Sequence, residues 1–334
     1  MNRIDRSLVI AGTAVTPPLL CAPMAGITHS AYRRLVADFG GYGALFTEML
    51  SARALIAENV ARSPFTKKRP CEGRVFYQLR LTGSEDIGRV IEKLSSLEPF
   101  GIDINLGCPA PEIRKGGGGI GLFNDREKLC GVLDAVRHYW KGILTVKCRL
   151  GKRSDTWQKT FIDRLKIIGE CGVDAITVHP RFSDEKLKRR ARGELFPWIA
   201  TQTKLPLIAN GDITGATPAV LDLLTSGKCS GLMIGRFAAV KPWIFNEFAG
   251  ESVNVDYLDV WTRFYDYVCE DFRPEKAIGR IKEFTAYFSR NFIYGHELFR
   301  KVQSAPDLAT IKIRATEFLS ASPAVEKETS VMGI

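Results

Sequence analysis

The chain has 334 residues, 45% hydrophobic and 25% charged, which is enough to bury a large core and ordinary for a soluble globular protein. No apolar run approaches the roughly 20 residues that cross a bilayer. Residues 1–10, with Arg3, Asp5 and Arg6, lack the apolar stretch of a secretory leader, so a cytoplasmic protein without a membrane segment is expected. The net charge of +10 is concentrated in residues 1–249, which hold 36 Lys/Arg against 24 Asp/Glu. Such a balance suits a polyanion such as nucleic acid, and equally a merely cationic soluble enzyme.

In chain order, short apolar or β-branched runs occur at 19–22, 44–47, 75–79, 101–105, 144–147, 175–178, 207–209 and 231–234. Between them lie amphipathic stretches: 84–97, with Ile87, Val90, Ile91 and Leu94 at helical spacing, then 125–139 and 157–170. Strands alternating with helices imply parallel β/α units. Eight of them in about 230 residues fit a closed α/β barrel, the (β/α)8 or TIM type, better than an open sheet. Beyond Trp243 the pattern turns wholly helical: Ile278, Ile281, Phe284 and Phe288 form one stripe, and a further helix is expected over 306–319. This predicts a barrel domain over 1–249 and an all-helical domain over 250–334, with the last dozen residues frayed.

The eight cysteines are Cys21, Cys71, Cys108, Cys130, Cys148, Cys171, Cys229 and Cys269. None stand two to four apart, so there is no zinc-ligand pair and no metal is expected. Most lie in apolar runs and read as small buried hydrophobes. Cys108, in Asn105-Leu106-Gly107-Cys108-Pro109 on the loop after the fourth strand, is expected to be the accessible one. It can serve as nucleophile or proton donor, although no oriented Cys–His triad is evident. The glycine run 116–119 just beyond lacks the Gly-Lys-Ser/Thr of a P-loop and reads as a flexible or tightly packed loop.

Barrel enzymes carry their chemistry where strands end at the C-terminal face. The polar residues at these ends are Gln78, Asn105, Lys147, His179 and Asn210. Each alone could satisfy loop backbone; five on separate strands point to one mouth. Lys147 follows an apolar run, and a buried ammonium calls for an anionic or electron-rich partner, for which a reduced flavin is suitable. His179 could donate to a ring carbonyl or a phosphate, or be structural. The turns Asn210-Gly211-Asp212-Ile213 and Ile234-Gly235-Arg236 follow the last two strands, where barrels often cradle phosphate on backbone N–H groups, and Arg236 could add a charged hydrogen bond.

Taken together these segments resemble the tRNA-dihydrouridine synthase family over most of the chain. The resemblance rests on Ala22-Pro23-Met24-Ala25-Gly26, Thr47-Glu48-Met49, Gln78, Asp103-Ile104-Asn105 with Gly107-Cys108-Pro109, Val146-Lys147 with Arg149, Val178-His179 with Arg181, Asn210-Gly211-Asp212-Ile213 and Met233-Ile234-Gly235-Arg236. It implies FMN bound by Pro23, Met24, Ala25, Gln78, Lys147 and His179, its phosphate held by Asn210, Gly211, Asp212, Gly235 and Arg236, with Asn105 and Arg181 on the substrate side. It also implies NADPH as reductant, hydride delivery to C6 of a flipped-out uridine, and Cys108 as the general acid at C5. The helical domain would help grip tRNA, and the protein would act as a monomer. The chain departs from the family pattern at Phe182, where Thr is usual, in the basic stretch 183–192, and at His29, where Asp is common. Three rivals stand beside this reading: an FMN-dependent dehydrogenase of the dihydropyrimidine or dihydroorotate type acting on free bases, a tRNA-binding protein without catalysis, and a phosphate-binding barrel without flavin, which leaves Gln78 and the Pro23-Met24 turn unexplained.

Overall fold

The computed structural model describes residues 6–185, 189–251, 253–327 and 329. Part of the leader reading, Lys186 and Lys188 of the basic stretch, and residues 328 and 330–334 of the tail lie outside them. The strands are β1 (Leu8–Ile10), β2 (Thr13–Val15), β3 (Leu19–Cys21), β4 (Leu45–Phe46), β5 (Leu50–Ser51), β6 (Val75–Arg80), β7 (Gly101–Leu106), β8 (Ile143–Arg149), β9 (Ala175–His179), β10 (Leu207–Asn210) and β11 (Gly231–Ile234).

Strands β3 to β11 form one parallel sheet in the order β3-β11-β10-β9-β8-β7-β6-β4, with β5 also on β6. A parallel bridge between Leu20 and Ala44, in which the Cys21 N–H donates to the Ala44 carbonyl at 3.0 Å, brings the first strand back to the second. The (β/α)8 barrel expected from the alternation is therefore the fold. The second strand alone is broken into β4 and β5, because at Thr47 the side-chain hydroxyl accepts the Gln78 N–H where a ladder would use a carbonyl. A two-stranded hairpin absent from the sequence reading precedes the barrel. β1 and β2 turn through Ala11 and Gly12, both at positive φ, and Leu8, Ile10 and Val15 plug the barrel floor against Phe46, Phe76, Ile208 and Met233.

Side chains alternate across a strand, so each strand serves two cores. Ile102, Ile104 and Leu106 of β7, and Leu144, Val146 and Cys148 of β8, face the surrounding helices. The intervening positions face the barrel axis, apolar at the floor (Phe76, Ile143, Ala175, Ile208) and polar toward the C-terminal ends. The helix expected over 84–97 is Ile87–Ser95, shortened because Asp86 caps it by accepting the Arg89 N–H; Arg126–Tyr139 is likewise capped by Asp125, and Trp157–Glu170 has the expected limits.

The C-terminal part is helical, with Tyr257–Asp271, Pro274–Phe288, Gly295–Gln303 and Leu308–Ser320. Phe264 stacks on Phe284 with ring centroids 3.9 Å apart, and Ile281, Phe284 and Phe288 are buried as the stripe requires, while Ile278 packs at its margin. Tyr257–Asp271 lies along Ser30–Phe39 of the barrel, joined to it by Arg34–Glu270 and Arg263–Asp38 ion pairs and to the loop before β6 by Lys67–Asp271. His29 is fully buried at this seam, edge-on to Phe272 at 4.9 Å, with neither ring nitrogen hydrogen bonded. The expectation of a frayed tail is corrected for residues 324–326: Val325 bridges Phe292, and Glu326 N–H donates to the Asn291 carbonyl at 2.7 Å. No helix among the described residues is long and apolar enough to cross a membrane.

Candidate active site

At the C-terminal mouth of the barrel lies an open cleft with a cavity volume of about 260 Å³, just under the usual range of small-molecule sites. Ala22, Met24, Met233 and Phe237 supply apolar wall; Lys147, Arg149, His179, Arg181 and Arg236 supply charge or polarity; Tyr287 reaches in from the helical region. Asp212 is the one carboxylate among the described residues that line it.

Asp212 organises one side. Arg181 donates to both its carboxylate oxygens at 2.7 and 2.6 Å, Arg236 donates to Oδ1 at 3.0 Å, and the Ala191 N–H donates to Oδ2 at 2.7 Å. Burial works against the Asp212 charge, but Arg181, the Ala191 amide and Arg236 outweigh it and hold the carboxyl below its usual range. Arg181 NH1 also donates to His179 Nε2 at 2.5 Å, which places the ring proton on Nδ1. Burial, then the charges of Lys147, Arg149, Arg181 and Arg236, keep that imidazole neutral, far below the ordinary histidine range. Gly211 threads between these groups at φ +115°, where a Cβ would stand 2.7 Å from His179 Cδ2 and 2.9 Å from Ala191 Cβ. Only glycine fits there. The Gly235 position is open to the cleft, where a Cβ would stand 3.5 Å from Ala22 Cβ and 3.6 Å from Met24 Sδ.

On the other side, alternation along β8 turns Thr145, Lys147 and Arg149 to the axis. Burial, followed by the neighbouring Arg149, brings Lys147 down to about 8 against the pull of Asp103; burial and Arg181 bring Arg149 to about 10. Asp103 is fully buried and lifted to about 6, although Thr145 Oγ1 donates to it at 2.6 Å and Gln78 Nε2 at 2.7 Å. Gln78 Oε1 in turn accepts from Asn105 Nδ2 at 2.9 Å, and Asn105 Oδ1 accepts the Cys108 N–H at 3.0 Å. A relay of hydrogen bonds thus runs from Thr145 to the Cys108 backbone, which pins the loop that carries the thiol. Gly119 closes it from outside: its φ is +56°, and a Cβ would meet the Cys108 carbonyl at 2.7 Å. The glycine run is tightly packed at this point.

Of the residues expected at the site, Pro23, Met24, Ala25, Lys147, His179, Arg181, Asn210, Gly211, Asp212, Gly235 and Arg236 share the cleft. Gln78, Asn105 and Cys108 are not among its lining residues; the first two are spent on each other and on the Cys108 loop. Arg181 has a fully buried side chain committed to His179, Asp212 and the Arg189 carbonyl, so it braces the cleft wall. Cys108 is partly exposed as expected, but Cys71 and Cys269 are exposed and Cys130 is partly so; four of the eight are buried, not most. Cys71 and Cys269 escape burial because they sit on a surface turn and on the outer face of a helix. Phe182 is buried under the Arg192 guanidinium, 4.8 Å above its ring, and edge-on to Trp157. Arg192 pairs with Glu185, so part of the basic stretch is internal, while Arg189 and Arg190 remain exposed. The site reading gave no role to Arg149, which the two-residue period from Lys147 announces, and missed Tyr287, for which the sequence carries no local signal; Gly119 lies in the glycine run the sequence had marked.

The family model of dihydrouridine synthase matches residues 20–306. A protein of Helicobacter pylori named as a probable tRNA-dihydrouridine synthase is 34% identical over 275 residues, covering 80% of this chain and 82% of its own. One of Rickettsia conorii with the same name is 28% identical over 92% of this chain and 95% of its own. The tRNA-dihydrouridine synthase B of Proteus vulgaris is 30% identical over 69% and 70%. With the barrel, the Cys108 loop and the cationic cleft in one chain, and the family model spanning both barrel and helices, this protein belongs to the dihydrouridine synthase family.

Proposed function

We propose that this chain reduces uridines of tRNA to 5,6-dihydrouridine, with FMN in the cleft, NADPH as reductant and Cys108 as general acid. The observation that carries the reading is the convergence of Lys147, Arg149, His179 and Arg236 on a cleft with a single carboxylate. Three cationic groups, Lys147, Arg149 and Arg236, gathered around a neutral His179 at a cost in burial favour an anion, and a phosphate-bearing cofactor supplies one. The donor set fits FMN: the Gly211 and Gly235 turns let backbone approach a phosphate beside Arg236, Lys147 offers its ammonium to an electron-rich ring, and Met24 and Met233 offer apolar contact. Bound there, the flavin would supply the hydride that reduces the uracil C5=C6 bond.

The chain's own work is positioning and proton transfer. Asn105 holds the Cys108 amide, so the thiol stands on a fixed loop one strand from Lys147. Cys108 Sγ gives its proton to C5 and the thiolate recovers one from solvent, so the substrate gains hydride and proton together. A uridine must leave its stack to reach the barrel mouth. The excess charge of residues 1–249, with Arg189 and Arg190 exposed near the Asp212 side, would draw the RNA backbone. Residues 250–334 act as the recognition domain, and Tyr287 brings that domain to the cleft itself.

The test is a visible spectrum of the purified protein, then NADPH and unmodified tRNA, with Cys108→Ala alongside. A yellow protein whose reduced flavin is reoxidised by tRNA, forming dihydrouridine that the variant makes at least ~100-fold more slowly, is the expected result. Reoxidation by free pyrimidines but not by tRNA would move the substrate to free bases. A colourless protein that cannot be reconstituted with FMN would overturn the cofactor reading.

A further inference from the structure

Sequence spacing predicts no metal site, yet folding brings Cys130, Asp134 and Cys171 together far from the cleft. Their donor atoms lie within 4.8 Å of one another, the one such group among the described residues. Cys130 and Asp134 are one turn apart on Arg126–Tyr139, and Cys171 is the residue that ends Trp157–Glu170. The two sulfurs are 3.7 Å apart, and Cys130 Sγ is 3.5 Å from Asp134 Oδ2. Around a tetrahedral zinc with Zn–S near 2.3 Å and Zn–O near 2.0 Å, neighbouring sulfurs stand about 3.8 Å apart, and sulfur and oxygen about 3.5 Å. Two of the three edges already match such a tetrahedron, and the third donor pair lies within 4.8 Å.

We infer that Cys130, Asp134 and Cys171 form a site for a thiophilic divalent cation, zinc or a chemical analogue, with water completing the coordination. The surroundings favour positive charge. Cys171 terminates its helix, where the carbonyl end of the dipole repels a thiolate and attracts a cation. The Cys130 carbonyl adds another electron-rich atom 3.9 Å from Cys171 Sγ. Nearby cations are engaged elsewhere: Arg137 donates to the Trp140, Gly142 and Gly172 carbonyls and the Asp174 carboxylate, and Lys166 pairs with Glu170. Cys171 is buried, Cys130 partly exposed and Asp134 exposed, which leaves a route for the ion and room for water.

Binding releases two protons, one from each thiol, as two metal–sulfur bonds form. The two helices flank β8, so the ion would clip together the outer layer behind the strand that carries Lys147.

The experiment uses full-length reduced protein stripped of metal, in a Cys71→Ser, Cys269→Ser background that removes the exposed thiols. Cadmium is followed by its thiolate charge-transfer absorption and zinc by calorimetry. One equivalent is expected, weakened at least ~100-fold by Cys130→Ser or Cys171→Ser and roughly tenfold by Asp134→Asn. In the unaltered chain, zinc should shield the partly exposed Cys130, but not Cys71, from alkylation, a readout that needs no variant to fold. No uptake by the reduced protein, uptake indifferent to both serine variants, or a Cys130–Cys171 disulfide formed in air by a reduced chain that takes up no metal would each overturn the site.

Discussion

Replacing Lys147 with methionine should make the flavin-free protein more stable and its hold on FMN weaker. Lys147 is brought from 10.5 to about 8 by burial and by Arg149. At about 1.4 kcal/mol per pH unit, and allowing for its partial exposure, carrying that charge costs the fold about 2 to 3 kcal/mol at neutral pH. The sign follows from the depressed value in the folded state. The cost is fully present below pH 8, shrinks as pH rises and the folded chain sheds its proton first, and is gone near 10.5, where the unfolded lysine is also losing its proton. Methionine fills most of the same volume without charge, so flavin-free Lys147→Met should melt about 5 °C higher at pH 7, with little difference at pH 10. FMN should bind roughly 10- to 150-fold more weakly, the loss of one charged hydrogen bond. Thermal unfolding at both pH values and titration of flavin fluorescence measure the two effects. A variant less stable than the parent at pH 7, or a gap unchanged at pH 10, would refute the claim that the cleft stores unfavourable charge for an anion.

Asp212→Asn removes the carboxylate that Arg181, Arg236 and the Ala191 amide share, and should cost about 2 to 4 kcal/mol in denaturant unfolding at pH 7. Because the Asp212 carboxyl is held below its usual range, its contribution is present above pH 4 and lost as pH falls further, so the gap between parent and variant should close in acid; a gap constant from pH 7 to 3 would count against it. Gly211→Ala meets both a φ of +115° and His179 at 2.7 Å, and should destabilise by roughly 3 kcal/mol or more; a change under about 1 kcal/mol would show that the cleft wall yields. Gly119→Ala presses on the Cys108 carbonyl at 2.7 Å and should slow dihydrouridine formation while leaving FMN affinity within about twofold, since Gly119 lies outside the cleft. Equal losses in both would mean that the Cys108 loop and the cleft are one unit.

The barrel was legible because a buried parallel strand must be apolar on both faces until its polar end, and each strand is followed by a helix with its own period. That pattern is local and survives without coordinates, as do Lys147, His179 and Asn210, each one step past an apolar run. The floor hairpin was not legible: three-residue strands joined through Ala11 and Gly12 carry too few positions to show a period. Nor could sequence tell apart the strand-end amides. Gln78 and Asn105 look like Asn210 in the sequence, but they face Asp103 and each other across β6 and β7, and so hold the Cys108 loop.

By itself the sequence determined the number of β/α units, the helical C-terminal region and the family, because these rest on periodicity and on motifs short enough to read along the chain. Tertiary structure alone decided how charge is shared. It tied Arg181, expected on the substrate side, to Asp212 and His179. It carried Tyr287 from the far end of the chain to the cleft and set Cys171 against Cys130 across 41 positions. Such pairings depend on distance in space, where the energy of a charge or a thiol is fixed, and spacing along the chain does not encode it.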